Sequence, residues 1–190
     1  MEITFVVVGG ILLGCFLGLS WFAGSDAPYV PTKMVRIRKI LKEVGVKKGI
    51  KFLELGSGDG RLVMEAAKMG ASAYGIEQSL LRVFLSKVRA KLQNLPNADF
   101  IHKNIFDLLK SHPKLISQSD VVFIFLLPKG VAKLEPILKK NLKRGAIVIT
   151  QTFHFKRWLP IKKLLVTDKI FPNTPLGKNV VEGDFWIYKV

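Results

Sequence analysis

Glu54-Leu-Gly-Ser-Gly-Asp-Gly60 is the stretch of sequence that determines the fold. It ends the short apolar run 50–55 and precedes the helical pattern 61–69, so it predicts a strand, a tight turn and a helix. The glycines at positions 56, 58 and 60 allow a backbone with positive φ, and they let a ligand approach the N-terminus of the helix. The turn therefore predicts a ligand site at this point of the fold.

The rest of the chain alternates between strand-like and helical patterns. Strands are predicted at 50–55, 72–76, 99–102, 120–127 and 146–150, and helices at 32–44, 61–69, 79–92 and 128–142. Such alternation is typical of a parallel sheet covered by helices. The runs 163–170 and 184–190 have no helix between them, which predicts an antiparallel hairpin at the sheet edge. Thr32 is the predicted N-cap of the first of these helices.

The N-terminal segment carries no charged residue from Ile3 to Ser25. As a helix it is long enough to cross a hydrocarbon core of about 30 Å. A signal peptide would have a basic n-region, whereas this chain begins Met1-Glu2. Basic residues follow the segment instead, namely Lys33, Arg36, Arg38, Lys39, Lys42, Lys47, Lys48 and Lys51. By the positive-inside rule we expect one transmembrane anchor, with the rest of the chain facing the cytoplasm.

The overall charge of the chain is strongly positive. Its 190 residues include 30 Lys and Arg against 14 Asp and Glu, a formal net charge of +16. Nucleic acid and an anionic membrane surface are both partners that fit this charge. One cysteine and three histidines provide neither a disulfide framework nor a zinc-binding pattern, so no metal site is predicted.

Glu77 adds a second feature to the glycine turn. It lies at the end of the second predicted strand, where a carboxylate can accept hydrogen bonds from both ribose hydroxyls of an adenosine. A nicotinamide dinucleotide turn would have its third glycine at position 61, which is Arg61, and a P-loop would need a Gly-Lys-Ser/Thr ending. S-adenosylmethionine has no pyrophosphate and fits this tighter turn. The sequence therefore predicts S-adenosylmethionine as the cofactor.

From position 27 to 190 the chain resembles the seven-stranded lysine methyltransferases that act on the mitochondrial adenine nucleotide translocase and ATP synthase c-subunit, with prokaryotic relatives. The glycine turn and Glu77 match the superfamily, and Pro28-Tyr-Val-Pro-Thr32 matches the family. Further matches are Gly75-Ile-Glu77, Ser86-Lys-Val-Arg89, Asp120-Val-Val-Phe-Ile-Phe-Leu-Leu-Pro128 and the segment from Phe153 to Trp158. Gln151-Thr-Phe-His-Phe-Lys-Arg-Trp158 departs from the proline-rich aromatic stretch of the mitochondrial members, which leaves the acceptor open.

The resemblance implies a set of cofactor-binding residues. Glu54 and the backbone of Gly56, Ser57 and Gly58 would position the methionine end, and Glu77 would hold the ribose. Asn104, or the nearby Asp107, would contact the adenine, while Tyr29 and Thr32 would close over the cofactor. The acceptor is expected at the carboxyl end of the fourth strand, with candidate walls at Phe125, Pro128, Phe153 and Trp158. No catalytic base is assigned.

The predicted fold class is α/β, a Rossmann-like seven-stranded methyltransferase sheet with five parallel strands plus a C-terminal antiparallel hairpin, preceded by one N-terminal transmembrane helix. The predicted segments are a transmembrane anchor at 1–25, a basic juxtamembrane linker and helix at 26–48, and the methyltransferase domain at 49–190.

The resemblance implies protein-lysine N-methylation, and the anchor favours a membrane protein as substrate. Methylation of RNA or phospholipid, and a non-catalytic cofactor-binding membrane scaffold, remain alternatives. Phe125-Leu-Leu-Pro128 lacks the Asn/Asp-Pro-Pro-aromatic pattern of many base methyltransferases, which disfavours base methylation.

Overall fold

The computed structural model describes residues 2–22, 30–165 and 184–190. The strands of the described residues are β1 (Lys51–Leu55), β2 (Ser72–Glu77), β3 (Ala98–His102), β4 (Val121–Ile124), β5 (Ile147–Gln151), β6 (Lys162–Leu164) and β7 (Phe185–Lys189). The helices of the same residues are α1 (Glu2–Phe22), α2 (Met34–Glu43), α3 (Arg61–Lys68), α4 (Leu80–Leu92), α5 (Ile105–Ser111), α6 (Pro113–Ser117) and α7 (Pro128–Asn141).

One mixed sheet of seven strands organises the described residues, in the order β3-β2-β1-β4-β5-β7-β6. The first five strands pair in parallel, and β7 runs antiparallel to both β5 and β6. This topology confirms the predicted parallel sheet and its C-terminal antiparallel pair. Residues 166–170 of the sixth predicted strand lie outside the described residues. The strand order reverses between β1 and β4, and ligands of such sheets bind in the crevice at this switch point.

Helices cover both faces of the sheet. The buried side chains of α2, α3 and α4 pack with Phe52 and Phe123 on one face. The buried side chains of α5, α6 and α7 pack with Leu53 and Ile124 on the other. Because β1 and β4 are covered on both sides, neighbouring residues of each strand are buried alternately in the two layers, which explains their continuous apolar sequence.

The sequence misplaced several element boundaries. The N-cap of α2 is Lys33 rather than Thr32, whose hydroxyl instead donates to Gln151 Oε1 at 2.9 Å. β4 ends at Ile124 instead of continuing to position 127, since residues 125–127 leave the sheet to line a cavity. The helices α5 and α6 were not predicted, because the segment between β3 and β4 gives only short stretches of helical periodicity.

The predicted N-terminal transmembrane helix is wrong, and so is the single-pass membrane location with the domain facing the cytoplasm. The chain does form α1, but among residues 2–22, 30–165 and 184–190 no helix has the combined length and apolar character that a bilayer crossing requires. The fold is therefore the mixed seven-stranded α/β sheet without that element.

Two of the basic residues after this segment make contacts within the domain, which do not support the predicted membrane flank. Arg36 is buried, and its guanidinium lies 5.2 Å from the ring centroid of Phe185. The Arg38 Nε atom donates to Glu65 Oε1 at 2.8 Å, which joins α2 to α3. Part of this positive charge therefore packs α2 onto the sheet, and a cation over an aromatic ring is a favourable contact in such a setting.

Gly60→Ala should destabilise the fold more than Gly145→Ala. Both glycines have left-handed φ, at +77° and +86°, so each alanine costs about 1–2 kcal/mol in the backbone. Only the Gly60 variant adds an overlap, because its Cβ would lie 2.6 Å from Phe100 Cε1, and overpacking costs a further ~1–3 kcal/mol. Urea unfolding of both variants measures the difference, and equal losses of stability would contradict this packing.

Candidate active site

A cavity of about 260 Å³ opens at the carboxyl ends of the parallel strands. Its walls come from segments that lie far apart in sequence: the glycine turn, the end of β2, residues 125–127, the segment 30–32, and Thr152 with Phe153 after β5. The sheet order brings these segments together, because β1 lies between β2 and β4 and β5 pairs with β4. The site is therefore at the switch point of the sheet, as predicted from the glycine turn.

The glycine turn packs directly onto the backbone of β2. The N–H groups of Gly56 and Ser57 both donate to the Ile76 carbonyl, at 2.9 and 2.8 Å. A Cβ atom on Gly75 would lie 2.8 Å from Ser57 Cβ, so this position has no room for a larger residue. The turn and the second strand are thus held at a fixed separation, which sets the position of every group that follows them.

Glu77 is the centre of a hydrogen-bonded cluster below the cavity. Its Oε2 accepts the N–H of Gly58 and its Oε1 accepts the N–H of Ser79, both at 2.9 Å. The Nη1 atom of Arg82 lies 3.6 Å from Oε1. The side chain of Glu77 is 6% exposed and that of Arg82 is 3% exposed. An ionised carboxylate has about four acceptor positions, so these N–H groups leave capacity for the two hydroxyls of a ribose.

Arg82 is a residue that sequence analysis missed. It lies in the first turn of α4, where a basic residue is unfavourable for the helix dipole, and it is nonetheless buried. A basic residue on the inward-facing side of a predicted helix is the sequence signal that could have identified it. The guanidinium of Arg82 pairs with the Glu77 carboxylate at 3.6 Å, inside the same buried cluster.

Glu54 lies on β1 beside this cluster and lines the cavity. It is 6% exposed, and its Oε2 has no hydrogen-bond partner among the described residues. Burial raises the pKa of Glu54 well above the usual range, and the negative charges of Asp59 and Glu77 raise it further. A ligand ammonium group would provide the missing donor and favour the ionised form, so the site fits the amino group of S-adenosylmethionine.

Ser57 provides a second orphaned polar atom at the cavity. Its hydroxyl is buried and has no hydrogen-bond partner in the described part of the chain. Ser57 lines the cavity in the middle of the glycine turn. Buried polar atoms are rarely left unpaired, so this hydroxyl also fits a site that is completed by a polar ligand.

The segment 30–32 is fastened across the cavity from two sides. Arg61 Nη1 donates to the Thr32 carbonyl at 3.4 Å, and the Thr32 hydroxyl bonds Gln151. Asp59 holds Arg61 in place through an Nη2 to Oδ2 contact of 2.7 Å. Arg61 and Gln151 were not predicted from the sequence. The predicted partner of Thr32 in closing over the cofactor, Tyr29, lies outside the described residues.

Asn104 forms the N-cap of α5. Its Oδ1 accepts the N–H of Phe106 at 2.9 Å, and its Nδ2 donates to Gln78 Oε1 at 3.3 Å. The cavity wall at this end comes from its neighbours Gln78 and Ile105, while Asp107 is exposed. An adenine contact by Asn104 remains a prediction, and Gln78 is the side chain through which Asn104 reaches the cavity.

The candidate acceptor residues separate into two pairs. Phe125 and Phe153 line the cavity. Pro128 begins α7 just beyond it, and Trp158 is buried in the core, with its ring stacked 5.5 Å from that of Phe155. The structure therefore brings Phe125 and Phe153 to the same cavity, whereas the exposed Pro128 and the buried Trp158 do not line it. Within residues 2–22, 30–165 and 184–190, no group of three or more His, Cys, Asp or Glu side chains could hold a metal ion.

Comparison with known proteins gives a consistent result. A family model described as the ANTKMT methyltransferase domain matches residues 54–162. The chain is 34% identical over 159 residues to the human lysine N-methyltransferase of the ATP synthase c-subunit, covering 81% of this chain and 66% of that protein, just under two thirds of its length. It is 31% identical over 149 residues to a protein-lysine N-methyltransferase of Saccharolobus islandicus (strain REY15A), covering 74% of this chain and 86% of that one.

A solved structure supports the same fold. An RNA methyltransferase from Salinibacter ruber, crystallised in complex with S-adenosyl-L-homocysteine, superposes with a TM-score of 0.69 and 26% sequence identity. The match covers 84% of this chain and 93% of that chain. The comparison therefore confirms the predicted cofactor, S-adenosylmethionine. The unpartnered polar atoms of Glu54 and Ser57 at the cavity are consistent with it.

Glu77→Gln should bind S-adenosylhomocysteine about 10- to 100-fold more weakly, since a hydrogen bond to a charged group contributes ~1.5–3 kcal/mol. Isothermal titration calorimetry measures the affinity. Glu65→Gln is the matched control, because Glu65 is also buried and bonds an arginine, yet it lies outside the cavity wall. Equal affinities of the wild type and Glu77→Gln, or equal losses in both variants, would remove the ribose role from Glu77.

The raised pKa of Glu54 predicts that the ligand-free protein becomes less stable to unfolding as pH rises. Between the usual glutamate pKa and the raised one, the folded protein retains a proton that the unfolded chain has lost, so stability falls as pH rises through this window. Glu54→Gln should abolish that fall. In urea unfolding across a pH series, the free energy of unfolding of the variant should increase relative to that of the wild type towards neutral pH. A difference between the two that does not vary with pH would refute the raised pKa of Glu54.

Proposed function

The chain belongs to the ANTKMT family and is an S-adenosylmethionine-dependent methyltransferase, and on that premise we propose that its acceptor is the side-chain amine of a lysine in a protein. The observation that carries this proposal is the shared lysine N-methyltransferase name of the human and archaeal relatives. The matched region 54–162 contains most of the residues that line the cavity, including Glu54, Glu77, Phe125 and Phe153, whereas the segment 30–32 lies before it.

When bound, the cofactor supplies a methyl group that its positively charged sulfur makes electrophilic. The chain's own residues then have three tasks, which are binding, orientation and exclusion of water. Glu77 binds the ribose, and Glu54 binds the amino group of the methionine end. Thr32, held by Gln151, covers the cavity and limits the access of water. Alignment of the acceptor with the methyl group can provide much of the rate acceleration without a nucleophilic side chain.

A lysine acceptor must release its proton to solvent before its nitrogen can attack. Phe125 and Phe153 provide an apolar wall beside the cofactor site, and a poorly solvated ammonium group has a lowered pKa. The cationic sulfur of the cofactor lowers it further. Aromatic ring faces also attract a cation as it enters, which favours an amine over a neutral acceptor.

A finer proposal is that the acceptor is a membrane protein. The substrate named for the human relative, the c-subunit of ATP synthase, supports it. RNA is the second candidate, because the similar Salinibacter ruber protein is named an RNA methyltransferase and the net charge of +16 suits a phosphate backbone. Of these acceptors, lysine has the support of the relatives with the higher sequence identity.

The acceptor class is tested by incubating the purified protein with methyl-labelled S-adenosylmethionine and an extract of source cells that lack the gene. Glu77→Gln is the impaired control, and Glu65→Gln is the control that keeps full transfer. Protein, lipid and RNA are then separated, and the protein is divided into membrane and soluble fractions. We expect label in protein that acid hydrolysis releases as methyl-lysine, and label in the membrane fraction would support the finer proposal.

Other outcomes would replace the proposal. Label in RNA or in lipid would assign the reaction to that acceptor. If no fraction accepts label while S-adenosylhomocysteine still binds, the protein is a non-catalytic cofactor-binding scaffold.

A further inference from the structure

A buried glutamate outside the cofactor site holds the turn that follows β5. Glu135, in the middle of α7, is 6% exposed. Its Oε2 accepts the N–H of Lys156 at 3.0 Å, and its Oε1 accepts the N–H of Arg157 at 2.7 Å. Burying a carboxylate is costly unless it is well bonded, and bonds to an ionised acceptor are about twice as strong as neutral ones. Glu135 therefore fastens this turn firmly to α7.

The fastened turn is continuous with one wall of the cavity. Thr152 and Phe153, which line the cavity, lie three to five residues before the two bonded amides. Thr152 has φ of +68°, a value that a β-branched residue rarely adopts. A conformation of this kind persists only where the surrounding structure enforces it. The N–H of Phe155 also donates to the Tyr188 hydroxyl, at 3.0 Å, so the loop is held by β7 as well as by α7.

The same helix is also continuous with a second wall of the cavity. Phe125, Leu126 and Leu127 line the cavity and lead directly into Pro128, the first residue of α7. One end of α7 is thus continuous with the wall at Phe125, and its middle holds the loop that presents Phe153. The helix itself is anchored in the core by Val131, Leu134 and Leu138. The helix α7 is therefore connected to both walls, in addition to the pairing of β4 with β5 that precedes them.

We propose that Glu135 is a positioning residue for methyl transfer, which fixes Phe153 relative to Phe125 by tying the Lys156–Arg157 turn to α7. The inference rests on the proposed function in that these two rings form the acceptor end of the cavity. A shift of about 1 Å in a group that orients a substrate can lower a rate about 10²-fold, so loss of this tie should slow transfer.

The cofactor end of the cavity should not depend on Glu135. Glu54 and Glu77 lie on β1 and β2, whereas Glu135 contacts the loop after β5. A variant of Glu135 should consequently separate the two halves of the reaction, leaving cofactor affinity unchanged while transfer is impaired. A glutamate with a purely structural role would instead lower both through general loss of stability.

Glu135→Gln tests this role with little change in shape, since an amide keeps one acceptor oxygen and places an NH2 group against the other backbone N–H. We expect S-adenosylhomocysteine affinity within about twofold of the wild type and label transfer slowed about 10- to 100-fold. Hydrogen exchange at the amides of Lys156 and Arg157 should accelerate. Glu65→Gln, the matched buried glutamate on α3, should change neither transfer nor exchange in this loop.

Phe153→Ala provides a second variant that removes the wall itself. If Glu135 acts through Phe153, the double variant should lose less than the product of the two single losses. Wild-type transfer by Glu135→Gln, or a parallel loss of cofactor affinity, would overturn the proposal. Label in RNA instead of protein would refute the proposed function. The transfer rates of the wild type and Glu135→Gln to RNA would then test the role of Glu135 separately. Absence of transfer to any fraction by the wild type would overturn both.

Discussion

The carboxylate of Glu77 is the interaction on which the site depends. It binds the N–H of Gly58 in the glycine turn and the N–H of Ser79 at the start of α4, so it joins the segments that follow β1 and β2. The absence of a side chain at Gly75 allows the close approach that these bonds need. Because the two N–H groups and Arg82 do not occupy all acceptor positions of the carboxylate, the same group can stabilise the fold and bind a ribose. The remaining walls are placed relative to this junction.

Acidic residues gather around the cavity of a strongly basic chain, and their different environments separate their tasks. Glu77 and Asp59 each contact an arginine, whereas the buried Glu54 Oε2 has no hydrogen-bond partner within the described residues. The raised pKa of Glu54 measures the cost of that arrangement to the empty protein. A cationic ligand reverses the cost, since its ammonium group favours the ionised carboxylate. Under the proposed function, the stability lost at Glu54 is regained as affinity for the positively charged cofactor, an exchange that is common at functional sites.

Local sequence patterns were sufficient for the features that depend on neighbouring residues. The glycine turn, the alternation of strands and helices, the terminal antiparallel pair and the position of Glu77 all follow from spacing along the chain. Contacts between distant segments could not be read in this way. Periodicity alone does not reveal that Arg36 and Arg82 are buried, nor that Thr32 bonds Gln151 instead of capping a helix. Glu135 is an ordinary helical residue until the fold brings it to the backbone of Lys156 and Arg157. The apolar segment 3–25 has the absence of charge that a membrane span requires, but this feature alone does not establish one.

The central claim is that Glu77 recognises both ribose hydroxyls of the cofactor. Its most direct test is calorimetric titration of the wild type with S-adenosylhomocysteine and with its 2′-deoxy and 3′-deoxy analogues. Each analogue lacks one donor to the carboxylate, so we expect each to bind about tenfold more weakly, and we expect Glu77→Gln to discriminate much less among the three ligands. Equal affinity of the wild type for all three ligands would contradict the account.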